Sequence, residues 1–178
     1  MTQVEILYLL PYLASMGLSL VALLYVWNRQ SAQGTNAFIW YAGAQSLWIF
    51  GFILELLTSG IQGKIFWHST QWLAELVTVV AFPVFAVQYT EYRLRNAHLL
   101  FRLSLIVPIL FALVLATDNL HHLIYLNPQM QAESFFIEIE YDETPIVNAF
   151  SVYHYLTAFV GIAILSQRFR RSHKLFRA

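Results

Sequence analysis

The stretch WLAELVTVVAFPVFAVQY, from Trp72 to Tyr89, is apolar almost throughout, yet it holds a carboxylate at Glu75 and a proline at Pro83. Crossing the hydrocarbon core of a bilayer takes about 20 apolar residues at a helical rise of about 1.5 Å. The stretch has that length, so it predicts a membrane-spanning helix with an acid inside it.

Four further windows have the same character. The spans run from Ile6 to Trp27, Ala37 to Leu57, Gln71 to Tyr89, Leu99 to Thr117 and Ile146 to Ser166. Composition agrees: the chain of 178 residues is 58% hydrophobic and 11% charged, with mean hydropathy +0.57. A soluble domain is about 45–50% apolar and about 25% charged. The first window lacks the basic flank and small-residue cleavage site of a signal peptide, so it is a retained helix. Residues 1–178 are expected to form one transmembrane domain, an all-α bundle of five helices. Zero net charge removes a global basic field for nucleic acid. The absence of cysteine removes disulfides, thiolate metal sites and catalytic thiols.

The connection from Asp118 to Pro145 is long enough to have structure of its own. Within it SFFIEIEYD alternates with period two, Phe135, Ile137, Ile139 and Tyr141 against Phe136, Glu138 and Glu140, as a strand does. The expected partner is HLIYL, His122 to Leu126, across a loop holding Asn127 and Pro128. The two would make a small β-hairpin capping the helices.

Positive charge sets orientation, because Lys and Arg collect in cytoplasmic loops. With the N-terminus outside, Arg29, Arg93, Arg95, Arg102, Arg168, Arg170, Arg171, Lys174 and Arg177 fall on the inner side and Lys64 alone outside. The outer side is acidic instead, with Glu5, Asp118, Glu133, Glu138, Glu140, Asp142 and Glu143. This places the C-terminus and the basic tail 167–178 in the cytoplasm of a multi-pass protein of the inner membrane.

Glu55 and Glu75 remain within the helices. A charge at the bilayer centre costs about 2.5–3.5 kcal/mol on insertion scales, so such acids face the bundle interior and mark a site or a polar network. Glu55 lies near the outer end of the second span, and Glu75 is expected about a turn, or roughly 6 Å, inside the third. The two acids would share one outer layer. Around them the topology gathers Trp48, Trp67, His68, Trp72, Asn119, His121, His122, Tyr153 and His154. Excepting His68, these and the two acids are the candidate ligand-binding set. The tryptophans also fit an interfacial aromatic belt, and polar contacts between helices are common packing devices.

No metal or cofactor is assigned. His121 and His122 are adjacent and point about 100° apart on a helix, so they do not chelate one ion together. A zinc site from His121 or His122 with His154, Glu55 and Glu75 is geometrically conceivable, and a haem held by His154 and a second His would lack an attachment motif. Pro83 and Pro108 predict kinks, and Ala42, Gly43, Ala44, Gly51 and Gly161 allow close helix approach. Phosphate-cradling loops, GxSxG and HExxH are missing, so no catalytic role is expected. The tail RRSHKLFRA, Arg170 to Ala178, faintly resembles a phosphoacceptor box but lacks an acid after His173. It is a basic flank.

The order of features resembles the seven-helix N-terminal sensor region of histidine kinases and diguanylate cyclases. The pieces are LWIFGFILELLTSG (Leu47 to Gly60), FWHSTQWL (Phe66 to Leu73), FPVFAVQYTEY (Phe82 to Tyr92), ATDNLHHLIY (Ala116 to Tyr125) and the fifth helix with Tyr153. The resemblance implies a sensory input module of a signalling protein, with Glu55, Trp67, Asn119 and His121 at its stimulus-sensing end. It also implies a cytoplasmic output domain or partner protein, and the expected company includes a homodimer, the lipid bilayer and a small ligand. Two departures stand out: the chain ends at Ala178, where a sixth helix should begin, and Glu75 replaces an expected uncharged residue. The alternative reading is a non-catalytic accessory subunit of a larger respiratory, photosynthetic or transport complex in the membrane.

Overall fold

The computed structural model describes residues 3–29, 33–93, 95–131 and 135–175, with side chains up to 170. Glu133, Arg171, Lys174 and Arg177, assigned to loop sides above, lie outside the described residues or side chains. The elements are α1 (Gln3–Trp27), α2 (Thr35–Leu57), α3 (Ile61–Thr90), α4 (Ala97–Ser104), α5 (Ile106–Ala116), α6 (Asp118–His121), β1 (Leu126–Gln131), β2 (Glu138–Asp142) and α7 (Pro145–Leu175). Among the described residues, five helical stretches are long and apolar enough to cross a membrane: α1, α2, α3, α4 with α5, and α7 to Arg170.

The bundle is organised around α3, which packs on α2, α5 and α7. Against α2 it runs antiparallel, with Gln45 Nε2 donating to Thr78 Oγ1 at 3.4 Å. A Cβ on Gly51 would stand 3.1 Å from Gln71 Cγ, so glycine permits this approach. Against α7 it runs parallel, and three contacts share one sequence offset. Glu75 meets His154, Phe82 meets Gly161, and the Tyr89 carbonyl accepts from Arg168 at 3.0 Å. Each pair lies seven residues beyond the last. That is the heptad spacing at which two nearly parallel helices keep one seam in register.

The fourth span is broken at Leu105 between α4 and α5. Pro108 has no N–H for the carbonyl four residues back, which is that of Ser104. Tyr153 of α7 fills the gap, its hydroxyl donating to Ser104 O at 2.6 Å. Pro83, by contrast, lies inside an α3 that continues to Thr90.

Three expectations need correction. The third helix begins at Ile61, not at Gln71. Its first turns carry Lys64, His68 and Gln71 at spacings of four and three, a polar stripe on one helical face. A hydropathy window counts those residues against a helix that buries them. Glu75 consequently stands fourteen residues into α3, about 21 Å from its start at 1.5 Å per residue. It lies one turn beyond Gln71, which holds the Glu55 carboxylate.

The hairpin exists, but β1 is Leu126–Gln131 rather than His122–Leu126. His122 adopts φ 50°, and the Asp118 carboxylate accepts from Ile124 N at 2.7 Å and from Tyr125 N at 3.4 Å. These bonds fold residues 122–125 into a turn before the strand begins. Asn127, at φ 50°, and Pro128 sit within β1 at the irregularity between Leu126 and Gln129, not in the connecting turn. The second strand runs only from Glu138 to Asp142, and its burial alternates from Ile139 onward. Phe136 instead is buried with Leu9, Ile53 and Leu56, while Phe135 and Ile137 are exposed. Finally, α7 extends to Leu175, nine residues past the expected Ser166.

The main core joins Trp72, Phe111, Ile124, Tyr125, Val147 and Phe150, with Ile139 and Tyr141 of the hairpin packed on it. Phe111 and Phe150 stack at 4.2 Å between centroids. The hairpin is therefore part of the packed structure at one end of the bundle.

Candidate functional site

The ten residues singled out from the sequence do not form one site. They divide among a buried polar cluster under the hairpin, a groove beside it, a pair midway along α3, and the aromatic packing between.

Glu55 anchors the first. Its residue is 3% exposed, and its carboxylate accepts from Gln71 Nε2 at 2.5 Å and from the Ile139 backbone amide of β2. Lys64, fully buried, donates to the Glu55 carbonyl at 2.7 Å and lies within the fields of Glu55 and Glu138. A buried charge persists only when paired and hydrogen-bonded, and here the partners come from α2, α3 and β2. The cluster thus seats the hairpin on the helices. Lys64, the lone basic residue at this end, had seemed merely a loop charge.

The groove, about 650 Å³, opens between α3, the α5–α6 corner and the start of β1. Asn119 and His122 line it, with Gln62, Ser69, Tyr125 and Pro128. Tyr125 and Ser69 share a hydrogen bond of 3.0 Å, which ties the groove wall to α3. Burial pushes the Tyr125 hydroxyl well above the usual phenol range, so it remains a neutral hydrogen-bonding group. Tyr141 is raised for the same reason, to about 12. His121 stays out of the groove. Its Nε2 meets Thr117 Oγ1 at 3.0 Å, its Nδ1 accepts from Leu123 N at 3.2 Å, and Asp118 stands 3.8 Å away. It shapes the turn that Asp118 closes.

Glu75 and His154 form the third feature, a hydrogen-bonded contact between Oε1 and Nδ1 that joins α3 to α7. The His154 ring also stacks on Tyr155. Of the remaining candidates, Trp48 stacks on Phe52 at 5.7 Å, and Trp67 makes edge contacts with Phe50 and Phe66. Trp72 is buried in the core, and Tyr153 mends the break at Ser104. No group of three or more His, Cys, Asp or Glu able to hold a metal occurs among the described residues.

Five spans, a hairpin seated at one end, and basic residues gathered at the other are now in view, and the comparison with protein families agrees with them. Residues 11–178 match the model for the N-terminal 7TM region of histidine kinase. The chain belongs to that family. As such it is a multi-pass protein of the cytoplasmic membrane and a non-catalytic sensory input region, embedded in lipid and working in a histidine kinase context with an output domain. No curated protein and no solved structure matches the chain.

Within this sensor region, sequence reasoning missed Lys64, Gln71, Ser69, Tyr125 and Tyr141. One signal was present for the first two. Lys64, Gln71 and Thr78 recur every seven residues and face α2, so polar periodicity could have shown an inward stripe. The expected hairpin brought the segments of Tyr125 and Tyr141 together, but nothing in the sequence marks the two rings as walls of one corner.

Proposed function

We propose that this sensor region receives a small-molecule stimulus in the groove lined by Asn119 and His122, on the outer side of the membrane, and passes it inward through α3 and α7. The N-terminus and hairpin lie outside in this reading, and the C-terminal end of α7 lies in the cytoplasm, because basic residues collect at the end opposite the hairpin. The whole of 1–178 acts as one unit.

Continuity along α3 is the observation that carries the proposal. Ser69 contacts the groove wall, Glu75 holds α7 six residues farther along, and Tyr89 holds it again near the other end. A ligand that pulls Tyr125 from Ser69 therefore acts on the helix to which α7 is fastened. The groove's mixture of amide, imidazole, hydroxyl and apolar wall suits a small polar molecule with an apolar part. A region without catalytic groups works by biasing an equilibrium between helix arrangements, to the extent that the ligand prefers one of them.

Autophosphorylation of the full-length kinase in membrane vesicles tests this reading. Asn119→Ala and His122→Ala should raise the stimulus concentration for half-maximal response, and Glu75→Gln should shift basal activity. Unchanged dose responses in both groove variants would remove the groove from the mechanism. For orientation, the cysteine-free chain accepts single cysteines at Glu140 and Arg170. A membrane-impermeant maleimide should label only the first in intact cells. Native purification that yields a defined larger complex without a kinase would favour the accessory-subunit reading instead.

A further inference from the structure

α3 carries His68 and Trp72 one turn apart, with the His68 ring against Tyr125 and Tyr141. His68 Nδ1 and Trp72 Nε1 are shut off from solvent, and neither has a hydrogen-bond partner in the protein. Leaving a buried donor or acceptor unpaired costs about 1–3 kcal/mol, and native interiors rarely tolerate it without a bound water, an ion or a functional reason.

The surroundings define what fits. The His68 ring is walled by Trp72, Tyr125 and Tyr141 at centroid distances of 5.9, 5.6 and 5.4 Å. Tyr125 and Tyr141 close the corner edge to face at 5.2 Å. Beyond Trp72 stand Phe111 and Phe150. The Tyr141 hydroxyl is a hydrogen-bonding neighbour of the Trp72 side chain, but at Nε1 it falls short of full hydrogen-bond geometry. An indole N–H only donates, whereas a neutral imidazole nitrogen accepts when its proton is on the other nitrogen. With the His68 proton on Nε2, a guest must accept from Trp72 and donate to His68. A cation is opposed by the indole N–H, and an anion finds no cationic side chain among these walls. A hydroxyl meets both demands.

We propose that His68 and Trp72, enclosed by Tyr125 and Tyr141, bind one small neutral hydroxyl-bearing guest, for which water and a short alcohol are the two sources. The site joins α3 to the hairpin, since Tyr141 belongs to β2 and Tyr125 precedes β1. Tyr125 also lines the groove on its other side, so one ring separates the guest from the groove. The site is independent of the ligand proposed for the groove, and it survives if the groove binds nothing.

The probe is water itself, with ethanol as the second arm, on the full chain in detergent micelles. With indole nitrogen-15 labelling, Trp72→Phe identifies the Trp72 N–H signal, or substitution of the other four tryptophans does so by elimination. That proton should show a cross-peak to water, and His68→Phe should shift it and abolish the cross-peak. Ethanol that moves the Trp72 signal alone identifies an alcohol-accepting site; no movement leaves water as the guest. A Trp72 proton without a water cross-peak, whose signal moves with Tyr141→Phe instead, would overturn the proposal. The wild-type cross-peak decides the matter if a variant fails to fold.

Discussion

Phe82 of α3 occupies the space where a side chain at Gly161 of α7 would begin: a Cβ there would lie 2.6 Å from Phe82 Cε1. The pair sits midway between the Glu75–His154 and Tyr89–Arg168 contacts, so the seam depends on this close approach. Gly161→Ala should push the helices apart or drive Phe82 off its rotamer, at about 1–3 kcal/mol. Thermal unfolding in mild detergent should show a lower Tm, and Phe82→Ala in the same chain should recover part of it. An unchanged Tm in the single variant would mean that the helices separate without cost.

Glu75→Leu removes the partner of His154 inside the bundle. It should destabilise by about 1–3 kcal/mol, whereas Glu75→Gln, which keeps a hydrogen-bonding group, should cost less. Cysteines introduced at Phe82 and Gly161 report the seam itself. Their disulfide should form readily in the parent chain and more slowly with Glu75→Leu.

Tyr153→Phe leaves the Ser104 carbonyl without the donor that replaces the missing N–H of Pro108. The expected cost is about 1 kcal/mol. In a Pro108→Ala background the helix can supply its own donor, so the same substitution should cost less than half as much. A double-mutant cycle by chemical denaturation measures this coupling, and strict additivity would show that the two residues do not share the carbonyl.

Lys64→Met removes a fully buried cation from beneath the hairpin and should cost about 3 kcal/mol or more. The loss should appear first as faster hydrogen exchange at Ile139 and its strand neighbours. Adding Glu55→Gln to Lys64→Met should restore part of that protection, because the uncompensated charge is then gone.

Tyr141, raised to about 12 by burial, makes seating of the hairpin dependent on alkali. A phenol whose folded value exceeds its unfolded value of about 10 contributes stability that is complete below pH 10. That contribution is lost between about pH 10 and 12. Ultraviolet titration should show one late-ionising tyrosine absent from Tyr141→Phe, and the variant's stability should fall less over this interval.

Much of the architecture was legible because lipid imposes a simple rule. Every backbone polar group in the hydrocarbon must be satisfied within its own segment, so long apolar runs become helices. The five spans followed, and so did the small sheet between the fourth and fifth. The start of α3 was not legible by hydropathy, because Lys64, His68 and Gln71 face protein rather than lipid. The site was read less well. Glu75 is legible as an acid within a span, but its partner, His154, lies 79 residues away.

Sequence by itself determined the number of spans, the asymmetry of charge between the two ends and the need to pair each buried acid, since composition and periodicity act locally. Tertiary structure alone decided which groups do the pairing. Glu55 went to Gln71 and the hairpin, Glu75 to α7, and Lys64 to a carbonyl, because those choices depend on the depth and rotation of each helix against its neighbours. A start ten residues earlier places Glu75 midway along α3 rather than near its beginning, an offset set by packing.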